Sequence, residues 1–142
     1  MAKPILRDNP RPKRNKPQAR RNDYTPGWVY AMWDDREKLV KIGLSRCPEK
    51  RCYSLSKEYG QLQLVAKFFT LNMALVESKA HKAFALKRVY RDKNLNGFTE
   101  WFSNVNCLMV WLCLLKHSML VNLYYIGATI LGFAILSAII IR

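Results

Sequence analysis

GWVYAMW at residues 27–33 and LVKIGL at residues 39–44 decide how this chain folds. Both runs are short and rich in aromatic and β-branched residues, and the polar quartet Asp34, Asp35, Arg36 and Glu37 interrupts them. Two such runs around a polar break read as a β-hairpin. With the quartet as the loop, Tyr30 stands directly opposite Lys41, and the two side chains share one face.

Toward the C-terminus, Pro48 beside Glu49 signals a helix start and Gly60 its stop, so a helix is expected over about residues 48–59. QLQLVAKFFT at 61–70 reads as a third strand. Asn72 is an N-cap candidate for a helix running to about Arg88, with Met73, Val76, Ala80, Phe84 and Lys87 at helical spacing. Glu77 and His81 lie four apart on that helix. An asparagine-rich loop at 94–97 precedes FTEWF at 98–102, a short extended piece. The expected class is α+β: a three-stranded antiparallel sheet flanked by helices.

Residues 104–115 form an apolar helix, read as part of this domain; the alternative is one arm of a hairpin of two membrane segments. Beyond it, residues 118–141 carry no formal charge. The 21 residues from Val121 make a helix of about 32 Å, enough to cross a bilayer core. Tyr124 and Tyr125 stand near one end, where aromatic rings favour the interface. The competing reading, a buried core helix, asks a domain of about 100 residues to surround a long helix that is apolar all round.

In residues 1–26 there are eight bases, two acids and five of the six prolines, with no apolar cluster. Such a segment buries too little surface to offset the entropy of ordering, and reads as a disordered basic arm. The division expected is therefore arm 1–26, domain 27–117 and anchor 118–142. Net charge is +14, and residues 27–102 remain basic by themselves, so both arm and domain favour a polyanion, nucleic acid or an anionic lipid surface. Arg11, Lys13, Arg14, Lys16, Arg20, Arg21 and Lys50 are the candidate nucleic-acid contacts. The first 22 residues hold no apolar run of the kind a signal peptide needs. Basic residues gather before the span and only Arg142 follows it, which places the domain on the cytoplasmic side of a single-pass anchor. Cys47, Cys52, Cys107 and Cys113 have no metal-ligand spacing, and His81 and His117 form no metal-binding pair.

WVY at 28–30, VKIG at 40–43, PEKR at 48–51, ESKAH at 77–81 and EWF at 100–102 occur in that order. Together they resemble the GIY-YIG endonuclease superfamily, in particular its small phage and bacterial branch, over about half of the chain. The resemblance implies a single-metal site, holding Mg or Mn, that hydrolyses a DNA phosphodiester. By matched position it implies that Tyr30 helps activate or deliver the nucleophilic water, that Arg51 stabilises charge on the phosphate, and that Glu77 holds the metal. Lys41 stands where the wider superfamily has a second tyrosine, and Leu55 where it has a histidine one turn after the arginine. Both replacements remove groups able to move protons; His81 is the candidate substitute base, and Lys41, opposite Tyr30, is the candidate neighbouring cation that favours its phenolate. The alternative function is a catalytically inactive, membrane-tethered module that binds nucleic acid or anionic lipid.

Overall fold

The structure is a computed structural model that describes residues 25–91 and 99–140. The elements run β1 (Gly27–Asp34), β2 (Leu39–Ser45), α1 (Pro48–Tyr59), β3 (Leu62–Thr70), α2 (Met73–Ala83), a 3₁₀ turn (Ala85–Lys87), β4 (Arg88–Val89), β5 (Trp101–Ser103) and α3 (Cys107–Ile140). The strands form one antiparallel sheet in the order β3-β1-β2-β5-β4. The sheet thus has five strands where three were expected. The additions are two short pairings: Lys41 with Trp101 on one side of β5, and Val89 with Trp101 on the other.

The hairpin turns one residue later than the polar quartet suggests. Asp34 is buried at the end of β1. Its carboxylate accepts hydrogen bonds from the backbone N–H of Arg36 at 3.1 Å and of Glu37 at 3.4 Å, so it caps the turn from inside the strand. Lys38, with φ of 55°, completes the loop. Asp34 therefore pairs with Leu39, Tyr30 faces Gly43, and Lys41 faces Met32. The shift is two residues along the ladder, so Tyr30 and Lys41 keep a common face as diagonal neighbours.

Alternation along the strands builds two cores. On one face Tyr30, Met32, Leu39 and Trp101 pack with Leu55 and Tyr59 of α1. On the other, Val29, Ala31, Val40, Ile42 and Phe102 pack with Val76 and Ala80 of α2 and with Val110, Leu114 and Val121 of α3. α1 keeps the bounds expected of it, and Gly60, at φ of 94°, ends it. α2 begins at the expected cap, with Asn72 Oδ1 accepting from Leu75 N–H at 3.0 Å, but stops at Ala83 instead of reaching Arg88. Phe84 turns inward onto Phe102, at 6.2 Å between ring centroids, and the chain leaves the helix to pair as β4.

α3 is one unbroken helix of 34 residues. The expected separate helix over residues 104–115 and the span beyond it are a single element, because nothing between Lys116 and Val121 breaks a helix. Val110, Leu114, Ser118 and Val121 face the sheet and α2. Asn122 fastens the next turn: its Oδ1 accepts from Leu71 N–H at 2.9 Å and its Nδ2 donates to Phe69 O at 3.1 Å. Tyr125 Oη accepts from Asn72 Nδ2 at 3.0 Å. From Ile126 to Ile140 the helix is exposed throughout and apolar, and it is long and apolar enough to cross a membrane.

Candidate functional site

β5 pairs with β2 only as far as Lys41. Past that point, Ile42 N–H donates to Glu100 O at 3.1 Å, and among the described residues β2 has no strand partner on this side beyond it. Here groups from the two faces of the sheet meet at an edge. Tyr30 and Lys41 come from the strands, Arg51 from the first turn of α1, Glu77 from α2, and Glu100 from the residue preceding β5.

Tyr30 is almost wholly buried, and its ring lies flat across Gly43. A Cβ at residue 43 would come within 2.6 Å of the Tyr30 hydroxyl, so glycine in KIG is the residue that makes room for the phenol. Arg51, half-buried, hydrogen-bonds to that hydroxyl. Burial first, then the negative charge of Glu100, push the Tyr30 pKa from 10.0 up to about 12, against the opposing pull of Arg51. At neutral pH the Tyr30 ring is therefore a phenol that accepts from Arg51 and keeps its own proton to donate.

Lys41 is fully buried. Its Nζ lies 2.8 Å from Glu100 Oε2 and 5.2 Å from the Trp101 ring centroid. Burial lowers its pKa, with Glu100 pulling the other way and Arg51 adding to the lowering. Glu77 acts electrostatically on both Tyr30 and Lys41, which places its carboxylate in the same group. The five expected catalytic positions are thus linked: Arg51 hydrogen-bonds to Tyr30, and Lys41 is coupled electrostatically to Arg51, to Glu77 and, from α2, to His81.

His81 stands one turn along α2 from Glu77 and points at the backbone. Its Nε2 lies 3.1 Å from Ile42 O, and its ring meets Phe102 edge-on at 5.3 Å. A carbonyl can only accept, so Nε2 carries the proton, and burial lowers the pKa so that the ring is neutral at pH 7. Leu55, where the superfamily resemblance asks for a histidine, is buried in the core beneath Tyr30.

Sequence reasoning passed over two residues. Glu100 was read as part of the extended piece FTEWF and of the EWF motif but given no role, yet it is the ion-pair partner of Lys41; a carboxylate beside two buried aromatics was the available signal. Arg91 had no motif to mark it. Its guanidinium binds Asp34 at 2.8 Å and Glu37, and lies 4.7 Å and 4.6 Å from the rings of Tyr59 and Trp101, tying the hairpin to the site face.

Of the candidate nucleic-acid contacts, Lys50 is exposed on α1 beside Arg51. Arg11, Lys13, Arg14, Lys16, Arg20 and Arg21 lie outside the described residues, as do the loop at 94–97 and Phe98. Among the described residues, no group of three or more His, Cys, Asp or Glu side chains is arranged to hold a metal. The T5orf172 domain matches residues 27–114, the sheet, α1, α2 and the domain-packed start of α3. No curated protein and no solved structure matches the chain.

Proposed function

This chain belongs to the T5orf172 domain family, and we propose that it is a membrane-anchored, metal-dependent DNA endonuclease of the GIY-YIG type. Membership points to a nuclease-like or DNA-binding role. The observation that carries the finer reading is the convergence of a phenol, an amine, a guanidinium and two carboxylates at one sheet edge.

Each group has a task suited to its chemistry. Arg51 offers forked donors to a phosphate and already fixes the Tyr30 hydroxyl. Tyr30, held as a phenol, orients a water or a phosphoryl oxygen through its remaining proton. Lys41, with its pKa lowered by burial and its proton shared with Glu100, moves protons where the wider superfamily has a tyrosine. His81 is a positioning residue that holds α2 against β2.

A hard divalent cation keeps several waters and needs one or two carboxylates besides substrate phosphate, so Glu77 is the carboxylate that would hold Mg or Mn, with Glu100 already paired to Lys41. Bound there, the metal supplies Lewis acidity toward phosphoryl oxygens. The exposed apolar end of α3 serves as the anchor, and the charge asymmetry across it directs the domain to the cytoplasmic side.

The test is plasmid nicking by the full chain in detergent micelles with Mg, Mn or EDTA, comparing the parent with Arg51→Ala and Glu77→Ala. Cleavage that needs metal and is lost in both variants supports the nuclease. A second reading, the silent binding module, is favoured by the state of two groups: Lys41 is ion-paired and Tyr30 holds its proton up to about pH 12, so neither is a ready base at neutral pH. It predicts salt-sensitive DNA binding with no cleavage under any metal.

A further inference from the structure

α2 and α3 run antiparallel where they leave the sheet. Asn72, before α2, bonds to Tyr125, whereas Lys79, nearly two turns along α2, acts electrostatically on His117, two turns back along α3. Between them lies a cavity of about 370 Å³ lined by Leu75, Lys79, Leu120, Val121 and Tyr124. Its polarity is graded along the helices. The end next to Ile126, where α3 becomes bare and apolar, is made by Leu75 and Tyr124. The opposite end carries Lys79, with Lys116 acting on the same His117. The Nδ1 of His117 is buried there with no hydrogen-bond partner among the described residues.

We propose that this cavity binds one anionic phospholipid, with its phosphate held by Lys79 and Lys116 and an acyl chain descending past Leu75 and Tyr124 along α3. The proposal rests on the reading that α3 continues into a bilayer. Seven residues of helix separate His117 from Tyr124, about 10 Å, which is enough to run from the outer headgroup region to the top of the acyl chains, since one headgroup layer is about 5–7.5 Å deep. A lipid entering from the bilayer therefore meets apolar groups at acyl depth and two lysines at phosphate depth. A zwitterionic lipid would leave these cations less well matched. A soluble phosphate compound would leave the apolar end unused.

The test uses the full chain and vesicles of phosphatidylcholine with or without phosphatidylglycerol. Flotation first reports whether the chain enters the bilayer. Native mass spectrometry of the chain released from mixed vesicles then counts retained lipid in the parent, Lys79→Ala, Leu75→Ser and a control, Lys57→Ala on the remote α1. The expected result is one retained phosphatidylglycerol, reduced about five-fold by Lys79→Ala, reduced also by Leu75→Ser, and unaltered by Lys57→Ala. Equal retention of the two lipids overturns the site, as does an equal loss in Lys79→Ala and Lys57→Ala. Release of the bound lipid by inorganic phosphate overturns the acyl contact. A chain that fails to float overturns the membrane reading and the site with it, whereas a chain that floats but retains no phosphatidylglycerol overturns the site alone.

Discussion

Toward α1, β1 and β2 present Tyr30, Met32, Leu39, Lys41 and Gly43; toward α2 and α3 the same strands present Val29, Ala31, Val40 and Ile42. A strand reverses side at every residue, so one hairpin serves two environments. The second face is dry and aliphatic, and it continues without a break into the helix that leaves the domain. The first buries an amine, a phenol and part of a guanidinium. Such groups are tolerated in a small domain only when paired, and each is: Lys41 with Glu100, Tyr30 with Arg51. The face toward α2 and α3 is apolar core, whereas the face toward α1 buries paired polar groups.

That contrast can be broken most sharply at Arg51 and Glu77. Replacing either with alanine is expected to lower metal-dependent nicking by about 10²–10³-fold; Glu77→Ala should leave far-UV circular dichroism and melting temperature little altered, whereas Arg51→Ala, which strips the buried Tyr30 hydroxyl of its partner, should also cost about 1–3 kcal/mol of stability, and a collapse of the fold in both would mean that these residues are structural. Next in size is Leu114→Ala on the dry face, which deletes a fully buried side chain. It is expected to lower unfolding free energy by about 2–5 kcal/mol in denaturant titration, with activity per folded molecule unaltered.

Gly43→Ala sharpens the comparison, because its new methyl intrudes on the Tyr30 phenol, whose hydroxyl would lie 2.6 Å away. Activity should fall about ten-fold or more, at a stability loss of about 1–3 kcal/mol. Lys41→Met should separate the two roles further. Nicking should be lost, while stability changes by no more than about 1 kcal/mol, since the buried charge is gone and the Glu100 left behind is about one-third exposed to water. The sign with pH follows from the lowered pKa. The folded state binds the Lys41 proton less tightly than the unfolded chain, so the parent loses stability as pH falls from the ordinary lysine value of 10.5 to the lower folded value, and no more below it. Relative to the parent, Lys41→Met should accordingly gain stability over that alkaline window and level off beneath it, which denaturant midpoints measured across pH will show.

The smallest effect is spectroscopic. Tyr30 has its pKa raised to about 12, so its contribution to stability is complete below pH 10 and disappears as pH rises through about 12. In an absorbance titration, the difference between parent and Tyr30→Phe should show phenolate only near the upper value. Ionisation of Tyr30 near pH 10 would mean that its hydroxyl is not desolvated.

Much of this architecture could be read from local signals. Pro48 and Gly60 bracket α1, Asn72 caps α2, and the alternating runs mark β1, β2 and β3 because turn, cap and period chemistry act over a few residues. Motif order likewise singled out Tyr30, Lys41, Arg51 and Glu77 before their proximity was known. What local signals missed was long-range. The hairpin register depends on Asp34 being buried and held by Arg91, 57 residues away. β4 and β5 are two and three residues long, too short for any period to announce, and exist because their partners align them. Glu100 meets Lys41 across 59 residues.

The sequence by itself determined the element types, the long charge-free apolar run and the basic character, since each follows from the composition of a contiguous stretch. Only the tertiary structure decided that the apolar run grows out of the domain core as one helix, that Tyr30 lies on Gly43, and that a buried lysine finds a carboxylate. Those are distances between residues far apart in the chain, and packing, not local propensity, sets them.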